Sequence, residues 1–117
     1  MRALLLALIL VLVACAPAVR DERAPGVTLT STQHETYVTY RVDAREPLER
    51  LFLRFVGEDL EVNASECLNV DGAIECVVGA VESFYEVSVA GTVTIPDGGR
   101  YGIACRASGC YWLYLSD

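Results

Sequence analysis

Alternation of apolar and polar residues is the dominant pattern of this chain after residue 26. In the segment ERLFLRFV, Leu51, Leu53 and Phe55 share one face, while Arg50, Phe52 and Arg54 belong to the other. A period of two residues is what a half-buried β-strand requires. The same alternation occurs in VTLTS, TYVTYRVD, FYEVSVAGTVTI and the C-terminal YWLYLS. No segment after residue 20 has a helical period, so the pattern predicts an all-β domain.

A turn with paired cysteines lies in the segment CLNVDGAIEC, which begins at Cys67. Asp71 and Gly72 tolerate the positive φ that a two-residue hairpin turn demands. Counting outward from this turn places Cys67 directly opposite Cys76, at a non-hydrogen-bonded pair. Cα atoms at such a pair are about 4.5 Å apart, which suits a disulfide.

A second turn is predicted in the segment IPDGGRY. Pro96 and Asp97 suit the central positions of a type I turn, and Gly98 can supply the left-handed residue of a bulge. Turns at intervals of about 8–12 residues give roughly seven or eight strands, the layout of a small antiparallel β-sandwich. A small β-barrel is the alternative.

The first fifteen residues, MRALLLALILVLVAC, follow a different pattern, with one arginine before an unbroken apolar run at 3–13. A run this short suits the core of a signal peptide, because a membrane-spanning helix needs about 20 residues. The sequence Leu12-Val13-Ala14-Cys15 resembles the lipobox of bacterial lipoprotein precursors at every position. The resemblance implies removal of residues 1–14 and attachment of lipid to Cys15.

Lipidation implies a position in the cell envelope. The protein would sit at the outer membrane of a Gram-negative cell or on the outer face of a Gram-positive plasma membrane. Residues 15–26 are polar and contain two prolines. We interpret them as a lipidated tether that holds a domain of residues 27–117 off the bilayer.

Four cysteines remain once Cys15 carries lipid, and an exported domain favours disulfides among them. Local pairing predicts the bridges Cys67–Cys76 and Cys105–Cys110, although the register of the second hairpin is not fixed by its sequence. The spacings lack the C-x2-C knuckle of zinc sites, so we expect no metal at these thiols.

The net charge of −7 argues against nucleic acid as a partner and against electrostatic adhesion to anionic lipid. Attachment to the membrane is therefore expected through the lipid on Cys15 rather than through the protein surface.

The layout from residue 36 to residue 93 resembles the immunoglobulin-like domains of unknown function in bacterial surface proteins. The residues that carry the resemblance are the V-x-Y-x-V strand at 38–42, the cysteines Cys67 and Cys76, and the long alternating strand at 85–93. The resemblance implies an immunoglobulin-like sandwich and offers no catalytic residues.

Enzymatic chemistry has little support in the sequence. His34 is the only histidine, and it lies between two predicted strands, where a solvated loop residue is expected. No nucleophile elbow, zinc-protease motif or phosphate loop is present. An acidic loop at 57–66 could ligate calcium through Glu58, Asp59 and Glu61, but it lacks the order of an EF-hand. We expect a protein that is not an enzyme and needs no cofactor.

Two functions remain open. The first is a non-catalytic interaction module with a protein or glycan partner in the envelope. Trp112 and Tyr114, on the face of the last strand opposite Tyr111, would belong to its contact surface together with Arg100. The second is an inhibitor lipoprotein, because DGGRYG around Arg100 resembles the loop that lysozyme inhibitors of this type insert into the enzyme cleft.

Overall fold

The computed structural model describes residues 19–116 of the chain. The predicted signal peptide and the lipidation site Cys15 lie outside the described residues. Nine β-strands account for most of the described chain: β1 (Val19–Arg23), β2 (Val27–Gln33), β3 (Tyr37–Ala44), β4 (Arg50–Val62), β5 (Cys67–Val70), β6 (Ala73–Val78), β7 (Phe84–Thr94), β8 (Arg100–Arg106) and β9 (Gly109–Tyr114). The described residues contain no α-helix, and the predicted all-β class is confirmed.

Strand β4 connects the two halves of the sheet. Its first part, from Arg50 to Phe55, pairs with β6 on one side and β8 on the other, while its second part pairs with β7. The strand order is β1-β9-β8-β4-β7-β3-β2, and the β5–β6 hairpin branches off at β4. The sheet is curled, and this brings Leu29 of β2 close enough to form a bridge with Leu115, just beyond β9. The result is a half-barrel.

The predicted strand faces are confirmed at the core. Leu51, Leu53 and Phe55 are 1%, 0% and 0% exposed, so the inward row of β4 is wholly buried. The Phe55 ring packs against the Tyr40 ring with a centroid separation of 4.5 Å. Burying an aliphatic or aromatic side chain of this size contributes about 1.5–3 kcal/mol, so alternation along β4 determines which side of the sheet becomes core.

The register of the β5–β6 hairpin agrees with the prediction residue by residue, from Val70 opposite Ala73 to Cys67 opposite Cys76. Asp71 and Gly72 both have positive φ, at 52° and 83°. Both predicted disulfides, Cys67–Cys76 and Cys105–Cys110, are present, with Cα separations of 4.0 and 4.1 Å.

The N-terminal segment differs from its prediction. Residues 19–23, expected to be part of a free tether, form β1, which pairs in parallel with β9. Ala24 is buried next to this strand. The prediction of a tether over 15–26 is therefore wrong from residue 19 onward. A polar edge strand has no apolar alternation to reveal it, because its stability comes from pairing with a strand at the far end of the sequence. The sequence also predicted a purely antiparallel sheet, and the parallel pairing of β1 with β9 shows that this prediction is wrong.

Two loops also differ in detail. The turn before β8 is shifted by one residue, since the Gly99 amide donates to the Pro96 carbonyl and Asp97 and Gly98 occupy the central positions. Gly98 has the expected positive φ of 70°. The segment predicted as an acidic loop at 57–66 is strand as far as Val62. Its acidic residues Glu58, Asp59 and Glu61 are exposed, and the pairing of β4 with β7 is irregular between Glu58 and Glu61.

Candidate interaction face

Phe52 lies on the outward side of β4, between the buried Leu51 and Leu53 along the strand. Cross-strand pairing places Val77 of β6 on one side of Phe52 and Ile103 of β8 on the other. Ile103 in turn pairs with Trp112 of β9. Paired residues in a sheet project to the same side, so four strands present one continuous apolar row away from the core.

The row continues to both edges of this half of the sheet. Val19 of β1 pairs with Cys110 and lines the same surface as Phe52 and Ile103. On β5, Leu68 pairs with Glu75, which is two residues from Val77 and therefore projects to the same side. Leu68 is 67% exposed and Val77 is 69% exposed. We call the surface formed by Val19, Phe52, Leu68, Val77, Ile103 and Trp112 the apolar face.

Arginines accompany the apolar face. Arg50 and Arg54 flank Phe52 along β4 and are exposed. The Arg100 guanidinium lies over the Trp112 ring, 4.6 Å from its centroid, which is a cation–π contact. Arg54 also pairs with Glu75, with a distance of 3.4 Å from Nε to the carboxylate. The face therefore combines exposed apolar groups with positive charge.

Two shallow grooves run across the apolar face on either side of Phe52. One has a volume of about 550 Å³ and is lined by Arg54, Ile95, Arg100 and Trp112, among others. The second, of about 450 Å³, lies nearer the start of β1 and is lined mainly by apolar groups. Its wall includes Val19, Val77 and the Cys105–Cys110 bridge. Phe52 and Ile103 form part of both grooves.

The structure brings together two of the three residues predicted as a partner surface. Arg100 and Trp112 line the same groove. Tyr114 lies in a neighbouring groove of about 280 Å³, under the Arg23 guanidinium at 5.8 Å from the ring centroid. Tyr111 and Leu113 face the core, on the side of β9 opposite Trp112 and Tyr114.

The sequence interpretation did not assign Phe52, Leu68 and Val77 to a contact surface. Each lies opposite the buried row of its strand, where a half-buried sheet normally carries polar residues. Apolar residues at such positions are the signal that could have identified this surface.

The outer surface of β3 and β7 shows what an ordinary solvated sheet face looks like in this protein. Thr39 and Ser88 share a hydrogen bond of 2.9 Å. Arg41 donates to both Asp43 and Glu86, at 2.9 and 2.5 Å, and these two hydrogen bonds raise its pKa. Polar cross-strand pairs thus predominate on the outside of this half of the sheet, where the exposed Phe84 ring lies under the Arg41 guanidinium at 4.2 Å from its centroid.

Three further groups with a perturbed pKa, Tyr40, Glu66 and Tyr85, are buried or partly buried. Burial, followed by the proximity of Tyr101, raises the pKa of Tyr40 to about 12. The Tyr85 hydroxyl donates to Glu66 at 2.6 Å, and this hydrogen bond lowers the pKa of that carboxyl group. Burial and the same hydrogen bond raise the pKa of Tyr85. None of these three groups is paired with a histidine or cysteine thiol in the part of the chain that the structure describes.

The single histidine and the candidate calcium ligands of the sequence are all exposed in the structure. His34 is exposed in the β2–β3 hairpin, where its ring stacks on Tyr37 with a centroid separation of 4.4 Å. No group of three His, Cys, Asp or Glu side chains in this range is arranged to hold a metal ion. Glu58, Asp59 and Glu61, which the sequence offered as calcium ligands, form no such group.

Within residues 19–116, no helix has both the length and the apolar character needed to cross a bilayer. Comparison of the chain with known proteins finds no matching family model, no similar curated protein and no similar solved structure.

Proposed function

We propose that this protein is a lipid-anchored, non-catalytic component of the bacterial cell envelope that acts through contacts of its apolar face. The observation that supports this function is the continuous apolar row from Val77 through Phe52 and Ile103 to Trp112 on the outside of the sheet. Contiguous exposed apolar surface flanked by polar groups is typical of interaction sites.

The composition of the face supports a role in binding. Large exposed groups such as Leu68 and Val77 contribute nothing to the core while they face water. Covering them removes apolar area from water and stabilises the covered state by about 25 cal/mol per Å². Trp112 and Arg100 add the residue types that are enriched at binding hot spots.

The lipid anchor in this proposal comes from the lipobox at 12–15, and the envelope location follows from it. Replacing Cys15 with Ser tests the anchor, because serine has no thiol to accept the diacylglyceryl group. We expect wild-type protein to incorporate radiolabelled palmitate and to fractionate with membranes. The C15S protein should do neither, or should accumulate as an unprocessed precursor. A C15S protein that is processed and remains membrane-bound would contradict the proposal.

Contact through the apolar face is tested by site-specific photo-crosslinking in intact envelopes. A benzophenone amino acid at Val77, which is 69% exposed, should give adducts. The matched control is the same probe at Phe84, which is 52% exposed on the opposite half of the sheet. Equal adduct yields at the two positions would mean that the apolar face has no special role.

An inhibitor function of the lysozyme-inhibitor type is the alternative. It requires Arg100 to project from a loop into an enzyme cleft, whereas Arg100 is the first residue of β8 and packs half-buried over Trp112. This packing favours the interaction module. Inhibition of lysozyme by the wild-type protein and its loss in an R100A variant would reverse the preference.

The immunoglobulin-like assignment is also a proposal. It is supported by the long pair β3 and β7, which holds the V-x-Y-x-V strand opposite the alternating strand at 84–94. The strand β4, which joins both halves of the sheet into one half-barrel, argues against two separate layers, so the assignment holds only if NMR in solution finds the pairing of β4 with β7 absent.

A further inference from the structure

We propose that the apolar face rests directly on the lipid bilayer that holds the anchor, with Trp112 at the membrane–water interface. The inference rests on the proposed lipidation of Cys15 and specifies the partner of the proposed contact surface. Three features of the described structure carry it: the position of Val19, the apolar row and the arginines around that row.

The length of chain between the anchor and the domain limits where the domain can be. Three residues, Ala16, Pro17 and Ala18, separate Cys15 from Val19. Even fully extended, the four steps from Cys15 to Val19 span at most about 14 Å. That distance is smaller than the domain itself, so lipid on Cys15 keeps the start of β1 close to the headgroups.

The place where this short connection enters the domain determines which surface is nearest. Val19 is the first residue of β1, an edge strand of the half of the sheet that carries the apolar face. It lines the second groove together with Phe52, Val77 and Ile103. The connection thus enters at the edge of the apolar face and not at the polar outer surface of β3 and β7.

The chemistry of the face matches the interface of a bilayer. Val77 and Phe52 can enter the boundary between headgroups and acyl chains, where apolar side chains of peripheral proteins are buried to about 5–10 Å. Trp112 has its indole among these groups, and tryptophan is enriched at this depth in membranes. Arg50 and Arg54 are long enough to keep their guanidinium groups among the phosphates.

Charge distinguishes this face from the rest of the molecule. The chain is acidic overall, with a net charge of −7. Three arginines nevertheless accompany the apolar face, namely Arg50, Arg54 and Arg100, and of these the charge of Arg54 is offset by its ion pair with Glu75. A negatively charged headgroup layer attracts such a cluster and repels the acidic remainder, and this orients the domain with the apolar face downward.

Trp112 provides a direct test, because it is the only tryptophan in the chain. Mature, lipidated protein would be reconstituted into vesicles of phosphatidylethanolamine and phosphatidylglycerol that carry bromine on the upper part of the acyl chains. We expect the bromines to quench Trp112 emission, the emission maximum to shift to the blue, and aqueous iodide to lose most of its quenching.

Two variants test the contribution of the apolar face independently of the lipid anchor. V77E places a charge on the apolar face at a position that is 69% exposed, so it should abolish quenching by brominated lipid while leaving the protein lipidated. F84E changes an exposed apolar residue on the other half of the sheet and should leave the quenching unchanged. Peptide mapping of both disulfides verifies that each variant has folded.

The outcomes distinguish this inference from the function on which it rests. Lipidated protein whose Trp112 stays open to iodide would overturn the inference and leave the anchor intact. Shielding from iodide without quenching by bromine would show that a second copy of the chain, and not lipid, covers the face, and would also overturn it. Absence of lipid on Cys15, measured by mass spectrometry, would overturn both proposals.

Discussion

The Tyr85 hydroxyl donates a hydrogen bond of 2.6 Å to the Glu66 carboxylate and thereby links β7 to the residue that precedes β5. The same hydroxyl lies 3.9 Å from Sγ of Cys67. The hydrogen bond fastens the branching β5–β6 hairpin to the other half of the sheet. It is also the main cause of the lowered pKa of Glu66.

This link should make stability depend on pH. The lowered pKa of Glu66 in the folded protein contributes stability that is fully present above the ordinary glutamate pKa. That stability is lost as the pH falls through the lowered value. Replacing Tyr85 with Phe removes the donor, so we expect the Glu66 pKa to rise and the unfolding free energy at pH 7 to fall by no more than about 1 kcal/mol.

The measurements for this pair are an NMR titration of the Glu66 carboxyl group and urea unfolding at neutral and acid pH. The stability difference between wild type and Y85F should shrink at acid pH. Y37F, which removes a hydroxyl from an exposed tyrosine in β3, is the matched control and should leave the Glu66 titration unchanged. An unaltered Glu66 pKa in Y85F would show that another group lowers it.

The two disulfides should differ in their resistance to reduction. Cys76 is 0% exposed within the core, whereas Cys105 is only partly buried. A thiolate reductant must reach a sulfur atom, so access controls the rate. We expect Cys105–Cys110 to be reduced first under native conditions. Timed alkylation followed by peptide mass analysis would measure the order, and reduction of Cys67–Cys76 first would contradict the burial argument.

Removal of the Cys67–Cys76 bridge should lower stability without changing the hairpin. A C67S/C76S double variant loses the constraint that a loop of this size places on the unfolded chain, which is about 2–3 kcal/mol. The Asp71-Gly72 turn still specifies the pairing, because both residues have the positive φ that the turn needs. Urea denaturation measures the loss, and amide exchange in β5 and β6 checks that the pairing persists.

Gly102 should tolerate no side chain. A Cβ atom at this position would lie 2.0 Å from the Phe52 carbonyl oxygen, on the backbone of the adjacent strand β4. G102A therefore forces β8 away from β4 and should cost about 1–3 kcal/mol or more through overpacking. Such a separation would also disturb the pairing of Phe52 with Ile103 on the apolar face.

Gly72 offers the comparison for Gly102. A Cβ atom there meets nothing within 4 Å, but the φ of +83° is unfavourable for alanine. G72A should cost about 1 kcal/mol through the backbone alone. Thermal unfolding of the two variants separates steric overlap from conformational strain, and a G102A protein as stable as G72A would contradict the close approach of β8 and β4.

Local patterns in the sequence were sufficient wherever a residue's environment depends on its near neighbours. The alternation around Leu53 predicted the buried row of β4, and Asp71-Gly72 predicted a register that placed Cys67 opposite Cys76. These inferences succeed because side chains in a strand alternate strictly and because a two-residue turn allows only one pairing of its arms.

Only the tertiary structure decided how the strands combine. The parallel pairing of β1 with β9 joins residues near opposite ends of the chain, and nothing in the polar segment at 19–23 encodes its partner. The apolar face arises in the same way. Phe52, Val77 and the β8–β9 hairpin that carries Ile103 and Trp112 lie in separate parts of the sequence. They form one surface because hydrogen bonding between β6, β4, β8 and β9 places their side chains on the same side of the sheet, and strand order is a long-range property that local alternation does not contain.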